Sequence, residues 1–290
     1  MPWSSIDPVP RTTCSSDTPG RPDPSWLDAY FRLAPVWRAF WPGTIDGLEN
    51  LPDHDRLLLV ANHSGLGVTE CVTLIDAWIT KFGDTRPLAA MAHTALFRLP
   101  GVGAALRGFG TVEATRKGAA WARAHGTPLL LFPGGDHESM RPIWRAREVD
   151  FDGRKGWIRL AREHDLTIVP VAITGSHVTL PNFGGTKLLS WLTGSRLIGM
   201  RRGPLPALSM LAALGSLVAT RKSRPSRRAL AAFASFWAVA LVPWVPSRIG
   251  FHVLDPIRQE GRSEEDVYEE VVSALTDRLR AAPLRRSRRV

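Results

Sequence analysis

The chain has 290 residues, 44% of them hydrophobic, which suits one large α/β domain with appendages and argues against wholesale disorder. Lys and Arg outnumber Asp and Glu 37 to 27, a net charge of +10, so an acidic partner is expected: nucleic acid, anionic lipid headgroups or a phosphorylated substrate. With only Cys14 and Cys71, a disulfide-stapled fold is not expected and a reducing setting fits.

Residues 1–25 hold six prolines among polar residues, with no apolar core of the kind a secretory leader needs, and read as a disordered arm. From Trp26 to Trp41 apolar residues recur at helical spacing, which predicts a helix that caps the core or rests on a membrane. Thr44 to Asn50 reads as a short strand and turn. Leu57 to Ala61 is a short, wholly apolar run after a polar turn, as expected of a buried strand. An apolar helix follows from Val68. Further strands are expected at Pro87 to Ala92, Phe109 to Val112, Pro128 to Phe132, Thr167 to Ile173 and Ile249 to Leu254. Between them lie helices near Phe97 to Leu106, Lys117 to His125 and Gly156 to Glu163, and an amphipathic one at Glu264 to Leu279 with an acidic first turn. This alternation predicts a single, mostly parallel sheet flanked by helices over residues 26–280, with a basic tail at 281–290.

Two uncharged apolar runs interrupt the pattern. Leu205 to Val218 and Ala229 to Val245 flank a basic turn containing Arg221, Lys222, Arg224, Arg227 and Arg228. Neither reaches the roughly 20 residues of a spanning helix. Residues 205–245 are therefore expected to form a helical insertion dipping into one leaflet, with Trp237 and Trp244 near the interface; a soluble lid on the sheet is the alternative. Eleven tryptophans against two tyrosines also favour a membrane interface.

Two strand-to-loop transitions carry the chemistry: NHSG at Asn62–Gly65 and FPGGDHE at Phe132–Glu138. In open α/β sheets, ligands collect beyond the carboxyl ends of strands. A histidine there can take a proton at neutral pH, and a carboxylate can orient its ring. Glu70 is placed to do so across a Gly-containing loop; a turn-closing hydrogen bond is the plain alternative for His63.

In this order the motifs resemble the glycerolipid acyltransferase superfamily, which includes bacterial lysophosphatidate and diacylglycerol acyltransferases, over roughly Gly47 to Pro256. NHSGLGVTE resembles the first block, a histidine followed by an acid. FPGGDHESMRP resembles the third block in its FPGG form, found nearer the diacylglycerol and phytyl-ester enzymes. IVPVAI at Ile168 to Ile173, with Pro170, is similar to the fourth block. Lys155–Gly156 resembles the pair preceding it, and LRGFGTVEATR at Leu106 to Arg116 stands where the acceptor block belongs. The chain departs from the family pattern in two places. The usual acid position holds Val68, so Glu70 substitutes, with Asp136 and Glu138 as alternatives. The glutamate and arginine of FPEGTRS are absent from their usual places, and Glu138 and Arg141 stand in.

The resemblance implies an acyl-CoA-dependent O-acyltransferase acting on a glycerolipid hydroxyl, such as that of a lysophospholipid or diacylglycerol. His63 would be general base and Glu70 its partner. Gly134 and Gly135 would admit backbone amides to the oxyanion, with Glu138 and Arg141 at the substrate. Arg116, Arg141, Arg145 and Lys155 would be available to CoA phosphates or a phospholipid head. Acyl-CoA is then a co-substrate, with no further cofactor and no metal, and the expected place is the cytoplasmic face of the cell membrane. A serine lipid hydrolase is the enzymatic rival, since Ser64 and Ser139 flank the motifs, but no GxSxG elbow occurs. A membrane-peripheral lipid-binding protein without catalysis is the other. Nucleic-acid binding rests on charge alone.

Overall fold

A computed structural model describes residues 18–83, 85–99, 101–198 and 201–282. The chain opens with α1 (Pro24–Phe40), capped by Asp23 and running into β1 (Gly43–Asp46). The apolar run becomes β2 (Leu57–Ala61), buried along its whole length, and a tight turn leads into α2 (Val68–Phe82). Next come β3 (Ala89–Ala92), α3 (Val102–Gly108), the two-residue β4 (Val112–Glu113) and α4 (Arg116–Ala124). β5 (Leu129–Leu131) gives way to a single helical turn, α5 (Gly135–Ser139), and then α6 (Gly156–Glu163) leads to the long β6 (Thr167–Thr174). The sequence did not announce the next four elements as they stand: β7 (Asn182–Thr186), α7 (Lys187–Leu192), β8 (Gly203–Pro206) and the start of α8 (Ala207–Ala219). The chain ends with α9 (Pro225–Val239), β9 (Ile249–Val253) and α10 (Glu264–Ala281).

Among the described residues the main sheet has seven strands in the order β1-β9-β6-β2-β5-β3-β4. From β6 to β4 every pairing is parallel, while β9 meets β6 antiparallel and β1 follows β9. The mostly parallel sheet flanked by helices is thus as expected. β2 lies at its middle, between β6 and β5. Its alternating side chains feed both sides of the core: Leu58 and Val60 pack toward Trp157, Ile158 and the apolar face of α10, while Leu57, Leu59 and Ala61 pack with Leu74, Trp78 and Phe251. A strand buried on both faces must be apolar throughout, which is why LLLVA reads without alternation.

Two expectations need correction. The disordered arm cannot extend through residue 25: Pro19 and Gly20 are buried, and the segment is tied down by Gly20 N–H to Gly110 O (2.8 Å), Asp23 N–H to Gly108 O (2.7 Å) and Thr127 Oγ1 to Pro19 O (3.2 Å). Gly20 holds a left-handed φ of +72°, and a Cβ there would lie 2.7 Å from Thr127 Cγ2, so this close approach requires glycine. Residues 1–17 and the basic tail beyond residue 282 lie outside the described residues. The strand expected at Phe109 to Val112 starts later, because Phe109 closes α3 and Gly110 bends the chain before Val112 pairs with Met91. Trp237 is half-buried, and its indole N–H donates to Thr193 O (2.7 Å), fastening α9 to the end of α7.

Phe251 is fully buried beside Leu59 and Leu57, so Phe251→Ala should cost about 3–5 kcal/mol through lost burial and the cavity left behind. Urea unfolding of the two proteins measures this.

Candidate active site

β2 delivers Asn62, His63 and Ser64 to the carboxyl edge of the sheet. Asn62 prolongs the strand by pairing with β6 through its side chain, donating to Ile173 O (3.0 Å) and accepting from Ile173 N–H (2.7 Å). Beyond Ser64 the backbone takes three consecutive left-handed residues, Gly65 (φ +49°), Leu66 (+57°) and Gly67 (+82°). Such a run costs about 1–2 kcal/mol at the non-glycine residue. Its effect is geometric: it reverses the chain so that the first turn of α2 brings Glu70 back onto the ring seven positions earlier. His63 Nδ1 hydrogen-bonds to Glu70 Oε1. Glu70 is fully buried and also accepts from Ser64 N–H (2.9 Å, Oε1) and Ser64 Oγ (2.8 Å, Oε2). With a carboxylate on Nδ1, the proton belongs there, and Nε2 carries the lone pair. Nε2 has no hydrogen-bond partner among the described residues, while the ring is mostly covered and stacks on Phe132 with centroids 4.6 Å apart. A Cβ at Gly67 would fall 2.4 Å from His63 Cε1, so the loop presses its bare backbone against the imidazole.

The second loop approaches from β5. Glu138, fully buried, accepts from the backbone N–H of His63 through Oε2 (3.0 Å) and from Arg141 Nη1 through Oε1 (3.0 Å). Burial pushes its carboxyl up to about 7, against the pull of Arg141 and His63. Of the three carboxylates open in the sequence, Glu70 takes the ring and Glu138 pins the backbone. Asp136 turns away to Arg154 Nη2 (3.2 Å) and Arg201 N–H (2.9 Å).

The two glycines also serve the geometry of the loop itself. The Gly135 amide is committed to Phe132 O (3.1 Å), so it is no oxyanion donor here. A Cβ at Gly134 would lie 2.3 Å from Glu138 Cβ, so this glycine makes room for the carboxylate. Arg154 braces both through Gly134 O (3.0 Å).

Other expected residues lie apart. Lys155 pairs with Glu265 and lies near the Tyr268 ring, so α10 holds it. Among the described residues Arg116, with its side chain 79% exposed, reaches Glu163 alone (3.6 Å), and Arg145 pairs with Glu148. None of these three shares a contact with His63. Sequence reasoning missed Ser176 and His177 in the turn after β6, although GSH directly follows the IVPVAI strand. His177 is buried, and burial followed by the nearby Arg141 charge lowers it to about 4, so it is neutral at physiological pH; its Nε2–H donates to Pro142 O (3.3 Å).

Beside this centre lies a cavity of about 240 Å³ lined by Glu138, Arg141, His137, Arg145, Arg202 and the β7–β8 ribbon. Arg141 is almost wholly buried there, yet its Nε and Nη2 have no partner among the described residues. Buried guanidinium donors left unpaired are costly, so the cavity favours an anionic or oxygen-rich occupant.

Residues 43–174 match the family model described as Acyltransferase. Over this segment the chain carries an acyltransferase domain. The matched segment runs from β1 to the last residue of β6 and contains both loops around His63. A Mycobacterium leprae protein described as uncharacterized is 30% identical over 198 residues, 68% of this chain and 53% of that protein. A Bos taurus protein, named as a DGAT1/2-independent enzyme synthesizing storage lipids, is 23% identical over 171 residues, 58% of this chain and 50% of its own length. The chain thus spans about half the length of the curated relatives it matches. The crystal structure of the 1-acyl-sn-glycerophosphate (LPA) acyltransferase PlsC from Thermotoga maritima shares the fold, with a TM-score of 0.50 and 17% identity over 89% of this chain and 80% of that one. The cavity therefore has one wall inside the acyltransferase domain and another, β7–β8, outside the matched residues.

Two outcomes follow from this geometry. Gly67→Ala should displace the imidazole and lower kcat by about 100-fold, the usual cost of an ångström-scale misplacement, while circular dichroism stays native. Glu138 keeps its proton to a higher pH in the folded chain than in the unfolded one. Folding should lose stability as pH rises from about 4.5 to about 7, and be free of this penalty below that window. The drop in urea midpoint between pH 5 and 7.5 should shrink in Glu138→Gln.

Proposed function

We propose that the protein transfers a fatty acyl group from acyl-CoA to a hydroxyl of a glycerolipid acceptor at a membrane surface. The observation that carries this reading is His63, with Nδ1 on a buried carboxylate and Nε2 unengaged at the carboxyl edge of the central strand. Nε2 takes the proton of the acceptor hydroxyl as its oxygen attacks the thioester carbonyl. The tetrahedral oxyanion then collapses, the C–S bond breaks, and the CoA thiolate recovers the proton from the imidazolium. Glu70 stabilises that imidazolium and keeps the ring in the useful tautomer. No covalent enzyme intermediate is involved. The Arg141 cavity adjoins this centre through Glu138 and suits a polar lipid head.

The hydrolase reading lacks support. Ser64 gives its proton to Glu70, Ser139 Oγ donates to Asp136 O (3.4 Å), and neither meets the His63 ring. A lipid-binding protein without catalysis would have no need of a preformed base.

The membrane part rests on surface chemistry. α8 and α9 pack on each other and contribute nothing to the two core clusters of the sheet. They expose Leu211, Leu214 (59%), Val218, Leu230 (67%) and Phe233, and Trp244 lies exposed beyond them. Arg221, Lys222, Arg224 and Arg227 form an exposed basic turn between the helices, each worth about 1 kcal/mol near anionic headgroups. No helix among the described residues is long and apolar enough to cross a membrane, so the hairpin would lie in one leaflet, on the cytoplasmic face.

Purified protein given acyl-CoA with lysophosphatidate, other lysophospholipids or diacylglycerol should release CoA only when an acceptor is present. His63→Ala should lower that rate by about two to four orders of magnitude, the usual worth of a positioned base. CoA release that needs only water would favour the hydrolase instead. In vesicle flotation, replacing Leu211, Leu214, Leu230 and Phe233 together by Gln should abolish association with anionic liposomes, and equal flotation would place the contact elsewhere.

A further inference from the structure

We propose that Ser176, in the turn after β6, is a positioning residue for the His63–Glu70 pair and acts through Ser64. This rests on the acyl-transfer reading above. Ser176 Oγ lies 2.6 Å from Ser64 Oγ, which lies 2.8 Å from Glu70 Oε2. Each hydroxyl has one proton, and an ionised carboxylate can only accept. Ser64 therefore donates to Glu70, and Ser176 donates to Ser64. The order of protons is fixed: Ser176 to Ser64 to Glu70, with His63 arriving at the other carboxylate oxygen. Ser64, Ser176 and Glu70 are all at least 98% buried, so water cannot replace a missing link. Hydrogen bonds in such a chain polarise one another, and a charged end strengthens them further.

The turn is anchored for this purpose. Thr179 Oγ1 donates to Ser176 O (2.7 Å), so Thr69, one residue before Glu70, must be the donor in its 2.8 Å contact with Thr179. The same helical turn that carries Glu70 thus fixes the segment that carries Ser176. The other charged or titratable groups near the pair are Glu138 and Arg141 from the β5 loop, neutral His177 beside Ser176, and the Cys71 thiol next to Glu70 on α2, which burial and then the Glu70 charge keep protonated. None of them donates a hydrogen bond to Glu70, so the Ser64 hydroxyl, backed by Ser176, is its side-chain donor other than the ring among the described residues.

Removing the outer donor weakens the inner one and leaves the Glu70 charge less shared. The pair then holds its proton to higher pH, and the ring is less firmly aimed. Ser176→Ala should lower kcat about tenfold, equivalent to about 1.4 kcal/mol of barrier. KM for acyl-CoA should stay within about twofold, as for an interaction felt only in the transition state. The acid limb of kcat/KM should move upward by about half a unit, the scale of a weakened hydrogen bond. Ser176→Thr, which keeps the hydroxyl, should restore both. In a double-mutant cycle, Ser176→Ala should add almost nothing in a Ser64→Ala background, because its effect passes through that oxygen. Additive effects, or a loss of thermal stability with an unchanged pH profile, would overturn the proposal. A readout independent of activity is the proton resonance of His63 Nδ1–H in the full chain. It should shift in Ser176→Ala and return in Ser176→Thr; no shift rejects the positioning role. If the resonance shifts while no variant, nor the parent, releases CoA, the transfer reaction fails and the positioning role stands.

Discussion

A carboxylate in a dry interior is tolerable only when hydrogen-bond donors meet it, and the fold around Glu70 is arranged to bring three of them together. The ring of His63, the amide of Ser64 and the Ser64 hydroxyl all converge on it. These donors sit on the continuation of one strand, while the carboxylate sits on the following helix. They meet only because three left-handed residues turn the chain between them. A second buried carboxylate, Glu138, then grips the same backbone from the neighbouring strand and is itself balanced by Arg141. Two acids, one imidazole and one guanidinium thus share a space with little water, and each is positioned by the others. This interdependence explains why the glycines matter mainly for what they lack: side chains at positions 67 and 134 would occupy the places of the imidazole and the Glu138 carboxylate.

Much of this was legible. The unbroken apolarity of LLLVA marks a central strand, and polar residues at its exit mark the site, because a strand covered on both faces can present function only at its end. Glu70 could be chosen as partner but not proven, since the left-handed conformation of Leu66 has no compositional signature. For a related reason the work of Gly134 and Gly135 stays open in the sequence, which reports small residues, not whether an amide faces a ligand or closes a turn. Arg116, Lys155 and Arg145 drew attention by charge, and charge does not reveal a neighbour such as Glu163, Glu265 or Glu148. The β7–β8 ribbon escaped notice because its strands are rich in Gly and Pro, residues that weaken every strand pattern.

The apolar surface is distributed unlike that of a simple enclosed enzyme. Beyond the α8–α9 hairpin, Leu188, Trp191 and Leu192 project from α7, and Leu33 and Val36 from α1. Large contiguous apolar areas on a monomer usually denote a contact surface. Here they accompany the segments that lie outside the sheet, while the sheet's own faces are sealed by α2, α4, α6 and α10. Catalytic geometry and surface chemistry are thus carried by different parts of the chain, joined where β8 runs directly into α8.

The placement of β9 has a consequence for how the molecule comes into being. This strand, late in the chain, inserts between β6 and β1, and among the described residues β1 pairs with no other strand. During synthesis from the N-terminus, residues 43–46 must wait for residues 249–253 before the sheet can close. The apolar hairpin at 207–239 leaves the ribosome within that interval, ahead of the strand that completes the fold. Its greasy face is thus presented while an edge of β6 is still open. The order of residues along the chain sets a race between closing the sheet and finding a surface for the hairpin.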